Sequence, residues 1–231
     1  MTERKADQYQ RRIRSFVRRE GRITKAQQWS IDNLWQQYVI ELTGQPLVLE
    51  ELFQRQASTT IEIGFGHGEN LLQLAIDHPE QSFLGIEVYR PGIGALMLEC
   101  VEHQLSNVRI ICGDAVDVLT HQIANSVLDN VLIFFPDPWP KQRHHKRRLI
   151  QNDFINLIYS KLKPNGLLHL ATDWQDYAEQ MLTLLDADPN YINLAGHGCY
   201  AERPSTRVES KFERRGKRLG HSVWDLVFMK A

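Results

Sequence analysis

Residues 62–68 read Glu62-Ile63-Gly64-Phe65-Gly66-His67-Gly68, an acid followed by three alternate glycines. Glycines at this spacing allow a tight turn out of a strand and let backbone approach a ligand closely. A dinucleotide G-x-G-x-x-G fingerprint would need glycine at position 69, but the chain has Glu69, whose carboxylate would oppose a pyrophosphate. The pattern E-x-G-x-G-x-G instead suits a cofactor without phosphates, and a tight turn with no ligand is the less favoured reading of the same residues. Further acids recur. Glu87 stands 23 residues beyond Gly64, the spacing at which an acid takes ribose hydroxyls, and Gly113-Asp114-Ala115 supplies another. Singly, each is an ordinary solvated loop acid. Together, Glu62, Glu87 and Asp114 suit a ligand with ribose hydroxyls, an exocyclic amine, an ammonium and a sulfonium, but no phosphate. S-adenosylmethionine carries that set of groups.

A second constellation is Phe135-Pro136-Asp137-Pro138-Trp139-Pro140-Lys141, followed by Gln142-Arg143-His144-His145-Lys146-Arg147-Arg148. Three prolines in five residues stiffen the loop and would hold Asp137 and Trp139 in place. Trp139 could equally pack against the end of a sheet. The basic run reads as a helix start, where cations are poorly placed, and an unfavourable local choice beside a site suggests a functional reason. Thr172-Asp173-Trp174 adds an acid and an aromatic, and Ser210-Lys211-Phe212-Glu213 sets a hydroxyl, a cation, a ring and a carboxylate in series. Such a series can contact phosphate, stack on a base and accept from its edge. His144 and His145 have no third ligand at a fitting spacing, so no metal is expected. Cys100, Cys112 and Cys199 form neither a disulfide framework nor a zinc set, which points to a reducing cytosol.

The charge distribution agrees with a polyanionic partner. The formal net charge is −1, but residues 1–25 hold nine Lys/Arg against three acids. Residues 141–148 hold five against none, and residues 203–218 hold seven against two. Local field rather than net charge governs such binding. The composition, 42% hydrophobic and 24% charged, is that of a globular protein, and the longest purely apolar run, Val131 to Phe135, is far short of a bilayer span.

The elements that must position these loops follow from periodicity. Residues 26–43 carry Ile31, Leu34, Trp35, Tyr38, Val39 and Leu42 at helical spacing. Strands are predicted at Thr60–Ile63, Phe83–Glu87, Val108–Cys112, Val131–Phe135 and Leu167–Ala171. Helices are predicted at Glu69–Ile76, Ile93–Val101, Leu149–Leu162 and Tyr177–Leu185. Their alternation implies right-handed crossovers and a parallel sheet covered on both faces, with ligands at the carboxyl ends of the strands. Tyr191–Leu194 and Val223–Met229 fit an antiparallel pair at the sheet edge. The expected organisation is a basic N-terminal arm, residues 1–25, and a single Rossmann-like domain, residues 26–231, with seven strands.

Asp137 to Lys141 with Arg143 to Arg148, the E-I-G-F-G loop, Ser210 to Glu213, and the early Arg14-Ser15-Phe16-Val17-Arg18-Arg19 with Gly21-Arg22 resemble the bacterial tRNA (guanine-N7-)-methyltransferases. The likeness runs from about residue 11 to the last strand; Ser210 stands where that family usually has threonine and keeps the hydroxyl. The resemblance implies an S-adenosylmethionine-dependent enzyme that methylates N7 of guanine 46 in the variable loop of tRNA. It implies cofactor contacts at Glu62, Glu87, Asp114 and Asp137, with Gly64, Gly66 and Gly68 forming the turn and Asp137 as the catalytic residue. It further implies substrate contacts at Lys141, Asp173, Ser210, Lys211, Phe212 and Glu213, and RNA contacts at Arg143, His144, His145, Lys146, Arg147 and Arg148. A cytoplasmic monomer or homodimer with tRNA as its partner, and no membrane, completes the expectation. Two alternatives stay open on the residues themselves: an enzyme methylating an exocyclic amine of DNA through an acid–proline–aromatic loop, and a non-catalytic RNA-binding protein with a vestigial nucleoside pocket.

Overall fold

The computed structural model describes residues 15–16, 21–204, 207–209, 213–214 and 222–231. Most of the N-terminal arm and the residues Ser210, Lys211 and Phe212 lie outside these. Seven strands form one sheet: β1 (Thr59–Ile63), β2 (Ser82–Glu87), β3 (Val108–Cys112), β4 (Leu128–Phe134), β5 (Leu162–Thr172), β6 (Tyr191–Asn193) and β7 (Trp224–Lys230). Their order is β3-β2-β1-β4-β5-β7-β6. β1 to β5 are mutually parallel, and β7 runs antiparallel to both β5 and β6. The strand order reverses between β1 and β4, the point at which open α/β sheets bind ligands. Both the parallel body and the antiparallel edge agree with the sequence reading.

The helices are α1 (Lys25–Tyr38), α2 (Leu49–Phe53), α3 (Glu69–Asp77), α4 (Arg90–Glu102), α5 (Ala115–His121), α6 (Asn152–Lys161) and α7 (Gln175–Asp186). One apolar layer joins β-strand residues such as Phe83 and Ile110 to Ile31, Leu71 and Leu96 of α1, α3 and α4. The other joins Ile61, Val131 and Leu168 to Leu119, Phe154 and Met181 of α5, α6 and α7. Every residue of β1 is buried, as expected for a central parallel strand, and this includes Glu62.

Three local outcomes differ from the sequence reading. Helix α1 starts with a capping box between Thr24 and Gln27 but stops at Tyr38, short of 43. The Ile40 N–H instead donates to the Ile110 carbonyl, and Val39 bridges Ile110 on the open edge of β3. Unpaired edge groups compete with the helix for this β-branched pair. Lys163-Pro164-Asn165-Gly166, left between a predicted helix and a predicted strand, falls inside β5, where Asn165 takes a φ of 62° and the register with β4 shifts between Leu128 and Asn130, marking a bulge rather than a loop. The basic run does not open a helix: residues Gln142–Arg147 form a separate 3-10 turn, and α6 begins at Asn152 behind it. The short helices α2 and α5 carry too few periods for a pattern to register.

Candidate active site

The carboxyl ends of β1 to β5 bring the predicted acids to one edge. Gly64, Gly66 and Gly68 have φ of 73°, 60° and 82°, so the turn out of β1 uses the left-handed backbone at each alternate residue. The Gly68 N–H donates to the Phe65 carbonyl at 2.8 Å and closes it. A Cβ on Gly64 or Gly66 would meet nothing within 4 Å, so open space lies over that turn, whereas one on Gly92 of α4 would strike the Gly66 carbonyl oxygen at 1.9 Å. The turn is thus clamped from behind and open in front.

Glu87 holds this turn from the next strand. Its Oε2 accepts the Gly66 N–H at 2.8 Å, and its Oε1 accepts from Val88 and Tyr89 at 2.6 and 2.9 Å. A carboxylate offers about four acceptor positions. Three are occupied by backbone donors, which leaves about one open. Glu62 is buried behind the turn, where burial, offset in part by the Asn70 hydrogen bond and reinforced by nearby Glu87, pushes its carboxyl up to about 8. Near neutral pH this acid is mostly protonated, and a cationic group brought against it would favour its carboxylate. Asp114 caps α5, with Oδ1 accepting from the Val116 N–H at 3.0 Å. No cationic side chain for a phosphate lies in this turn, and Glu69 occupies the first position of α3. These donors and acceptors fit S-adenosylmethionine.

The loop after β4 is held in a strained backbone. Phe135 and Trp139 adopt φ of 51° and 45°, a region that aromatic residues rarely enter. The Phe135 N–H donates to the Ala171 carbonyl, and the Trp139 indole N–H donates to the Ser15 carbonyl at 2.9 Å. Ser15 therefore meets the rim at Trp139. Asp137 is exposed between the two strained residues, and Asp173 stands half-buried at the end of β5. A groove of about 390 Å³ runs from Asp114 and Val116 past Ser15 to Lys146, Arg147 and Phe154, joining the acid edge to the basic turn.

The basic run divides. Lys141, Arg143 and Lys146 are exposed, and Arg147 lies 3.8 Å over the Trp139 ring. Desolvation, together with Arg143, Lys141, Arg147 and Lys146, lowers the His144 pKa. Arg148 corrects the expectation of an RNA contact. Its side chain is only 1% exposed, and it donates to the Pro138 carbonyl at 2.8 Å, to Gln180 and to Asp176. It pins the proline loop to α7 and has no surface to offer a phosphate.

Glu213 also differs from expectation. It is buried, and both its oxygens accept from Arg207, at 2.5 and 3.2 Å, so it is not presented as an open base-reading carboxylate. Arg207 in turn donates to Asp225 at 2.6 and 2.8 Å and sits over the rings of Phe134 and Phe135. Burial disfavours the Asp225 anion, but hydrogen bonds from His169 and Arg207 outweigh that and hold its carboxyl below the usual range. The sequence reading missed Arg207, Asp225, His169 and Asn70. An acid inside the apolar strand Trp224–Lys230 was the available signal for Asp225; Arg207 was indistinguishable from its basic neighbours.

A doubly wound sheet with an antiparallel β7, a glycine turn without a cationic side chain and acids at three successive strand ends define a Rossmann-like methyltransferase. Among solved structures, the chain resembles the 16S rRNA methyltransferase KamB, with a TM-score of 0.58 at 13% identity, covering 79% of this chain and 92% of that one. It also resembles the aminoglycoside resistance methyltransferase NpmB1, with a TM-score of 0.54 at 20% identity over 79% and 92%. At these identities the likeness speaks for the fold alone. A family described as "Putative methyltransferase" matches residues 56–226. The tRNA (guanine-N(7)-)-methyltransferase of Serratia proteamaculans is 51% identical over 94% of this chain and 91% of its own. That of Photorhabdus laumondii is 50% identical over 95% and 92%. The chain belongs to the tRNA (guanine-N(7)-)-methyltransferase family.

Proposed function

We propose that the protein transfers a methyl group from S-adenosylmethionine to N7 of a guanine in tRNA, at position 46 of the variable loop. The observation that carries this reading is the adjacency, on one sheet edge, of the acid-lined glycine turn and the strained Asp137 loop with its basic turn, in a chain half identical to enzymes of that name. When bound, S-adenosylmethionine supplies a methyl carbon made electrophilic by a sulfonium. Guanine N7 offers a lone pair and has no proton to lose, so the chain needs no general base. It has instead to align two reactants and to tolerate positive charge moving onto the purine.

Asp137 meets the second of these needs, its carboxylate orienting the guanine edge or the cofactor amine and stabilising the developing cation. Asp173 accepts from the guanine N1–H and N2 amine and so excludes adenine. Glu213, taken up by Arg207, anchors the segment from which Ser210, Lys211 and Phe212 reach the substrate. Lys141, Arg143, Lys146 and the Trp139-stacked Arg147 meet phosphates, with His144 and His145 alongside. Reaching N7 in folded tRNA requires opening a tertiary contact or taking the base out of its stack, at roughly a few kcal/mol, which phosphate contacts offset. A tRNA substrate implies a reaction in the cytoplasm.

The test is incubation with unmodified tRNA and labelled S-adenosylmethionine, followed by nucleoside mapping. Label is expected as 7-methylguanosine at position 46. Label on an exocyclic amine of duplex DNA, or cofactor binding without any transfer, would overturn the reading.

A further inference from the structure

Asn70, in the first turn of α3, touches both halves of the site. Its Nδ2 donates to Glu62 Oε2 at 3.1 Å, and its Oδ1 accepts from the Val208 backbone N–H at 3.0 Å. The side chain is buried. Its orientation follows from chemistry, because a backbone N–H can be met only by the amide oxygen, and the amino group must then face Glu62. Val208 lies 138 residues away in the chain and is joined directly to Arg207. Arg207 grips Glu213 on one side and Asp225 on the other, under the rings of Phe134 and Phe135. A connected path therefore runs from the acid behind the glycine turn to the substrate segment and to the root of the Asp137 loop, through the Asn70 hydrogen bonds, the peptide link from Val208 to Arg207, and the buried contacts of Arg207.

We propose that Asn70 is a positioning residue that couples cofactor binding to tRNA binding, with Glu62 at one end and the segment carrying Arg207, Val208 and Glu213 at the other. The inference rests on the reading of this site as a tRNA methyltransferase. A cationic group arriving near Glu62 favours its carboxylate, and a hydrogen bond to an ionised acceptor is shorter and stronger than one to a neutral acid. The amide polarised in this way holds the Val208 N–H more firmly, since linked hydrogen bonds reinforce one another. Bound cofactor thus favours the placement of Arg207 and Glu213 described above. By linkage, tRNA engaging that segment tightens the cofactor by the same factor. If Asn70 merely packs α3 against the segment, its removal lowers stability and leaves the coupling intact.

The probe is S-adenosylhomocysteine, which keeps the ammonium and has no methyl to transfer. It is titrated calorimetrically into the full chain with and without unmodified tRNA. In the wild type, tRNA is expected to tighten its binding by about 5-fold or more; in Asn70→Ala the ratio is expected to fall to near unity. If Asn70→Ala does not fold, Glu62→Gln serves instead: it keeps an oxygen for Asn70 but cannot ionise, and again a ratio near unity is expected. A wild-type ratio of one, or a wild-type-sized ratio in a folded variant, overturns the proposal. Failure of the underlying reading is separately visible, as wild-type protein that places no methyl on guanine N7 of tRNA.

Discussion

The guanidinium of Arg148 reaches from the end of the basic turn to the carboxylate of Asp176 at the start of α7. The same group holds the Pro138 carbonyl and Gln180, so the last cation of the run is the peg on which the Asp137 loop hangs. Its neighbour in sequence, Arg147, is committed instead to the face of Trp139.

The two kinds of cation should separate under mutation. Arg148→Ala leaves the Pro138 carbonyl and Gln180 without their donor and is expected to cost about 1–3 kcal/mol in a denaturant melt. Arg143→Ala is expected to leave stability within about 0.5 kcal/mol. It should instead weaken tRNA binding and reduce the slope of log affinity against log salt by about 1. Equal stability losses in the two variants would remove the distinction.

Glu62 gives a signed pH dependence. Burial raises its pKa from 4.5 to about 8, so across that window the folded chain holds a proton that the unfolded chain has released. The stabilising contribution is fully present below 4.5 and is lost as pH rises through about 8. Glu62→Gln has no such proton, and its denaturant midpoint should fall less than that of the wild type over the same range. Cofactor binding near neutral pH should also release protons, read as an apparent enthalpy that changes with the ionisation heat of the buffer. Buffer-independent enthalpies would count against an ionising Glu62.

Gly92 and Gly64 test the turn by different routes. Alanine at 92 drives a Cβ into the Gly66 carbonyl oxygen, so Gly92→Ala should both destabilise the fold by about 1–3 kcal/mol and weaken cofactor binding. Alanine at 64 meets open space but must adopt a φ of 73°, a strain of order 1–3 kcal/mol without a clash. Cofactor affinity unchanged in Gly92→Ala would show that α4 does not set the turn.

Asp137→Asn keeps the shape of the loop and removes the charge. The expected result is a fall in kcat on intact tRNA of about 10-fold or more, each tenfold being 1.36 kcal/mol in the barrier, with a smaller change in KM for tRNA. Full kcat would refute the assignment of charge stabilisation to Asp137.

Much of the fold was legible because its signals are local. Short apolar runs separated by glycine, proline and acidic turns place β1 to β5 in order, and parallel alternation then sends the loops bearing Glu62, Glu87, Asp114, Asp137 and Asp173 to one edge. The antiparallel pairing of the two late strands was legible for the same reason. Where local signals misled, a nonlocal partner had intervened: the edge of β3 drew Val39 and Ile40 out of α1, and β4 pairs with Leu162 and Leu167 on either side of Lys163 to Gly166, which bulge out within β5 instead of ending it.

By itself the sequence determined which chemical groups the site would contain, since residue type and strand-end position follow from pattern. Only the tertiary structure decided which of those groups face a ligand and which face one another. Arg148 and Glu213 look like surface charges in a basic stretch, yet each is buried against a partner: Arg148 meets Asp176 of α7, and Glu213 meets Arg207, six residues back in the same loop and itself fixed by Asp225 of β7. A charge carries no mark in sequence of the partner that will neutralise it. That pairing is settled when the chain closes, because a desolvated ion must find its counterion or hydrogen-bond partner wherever packing has placed one.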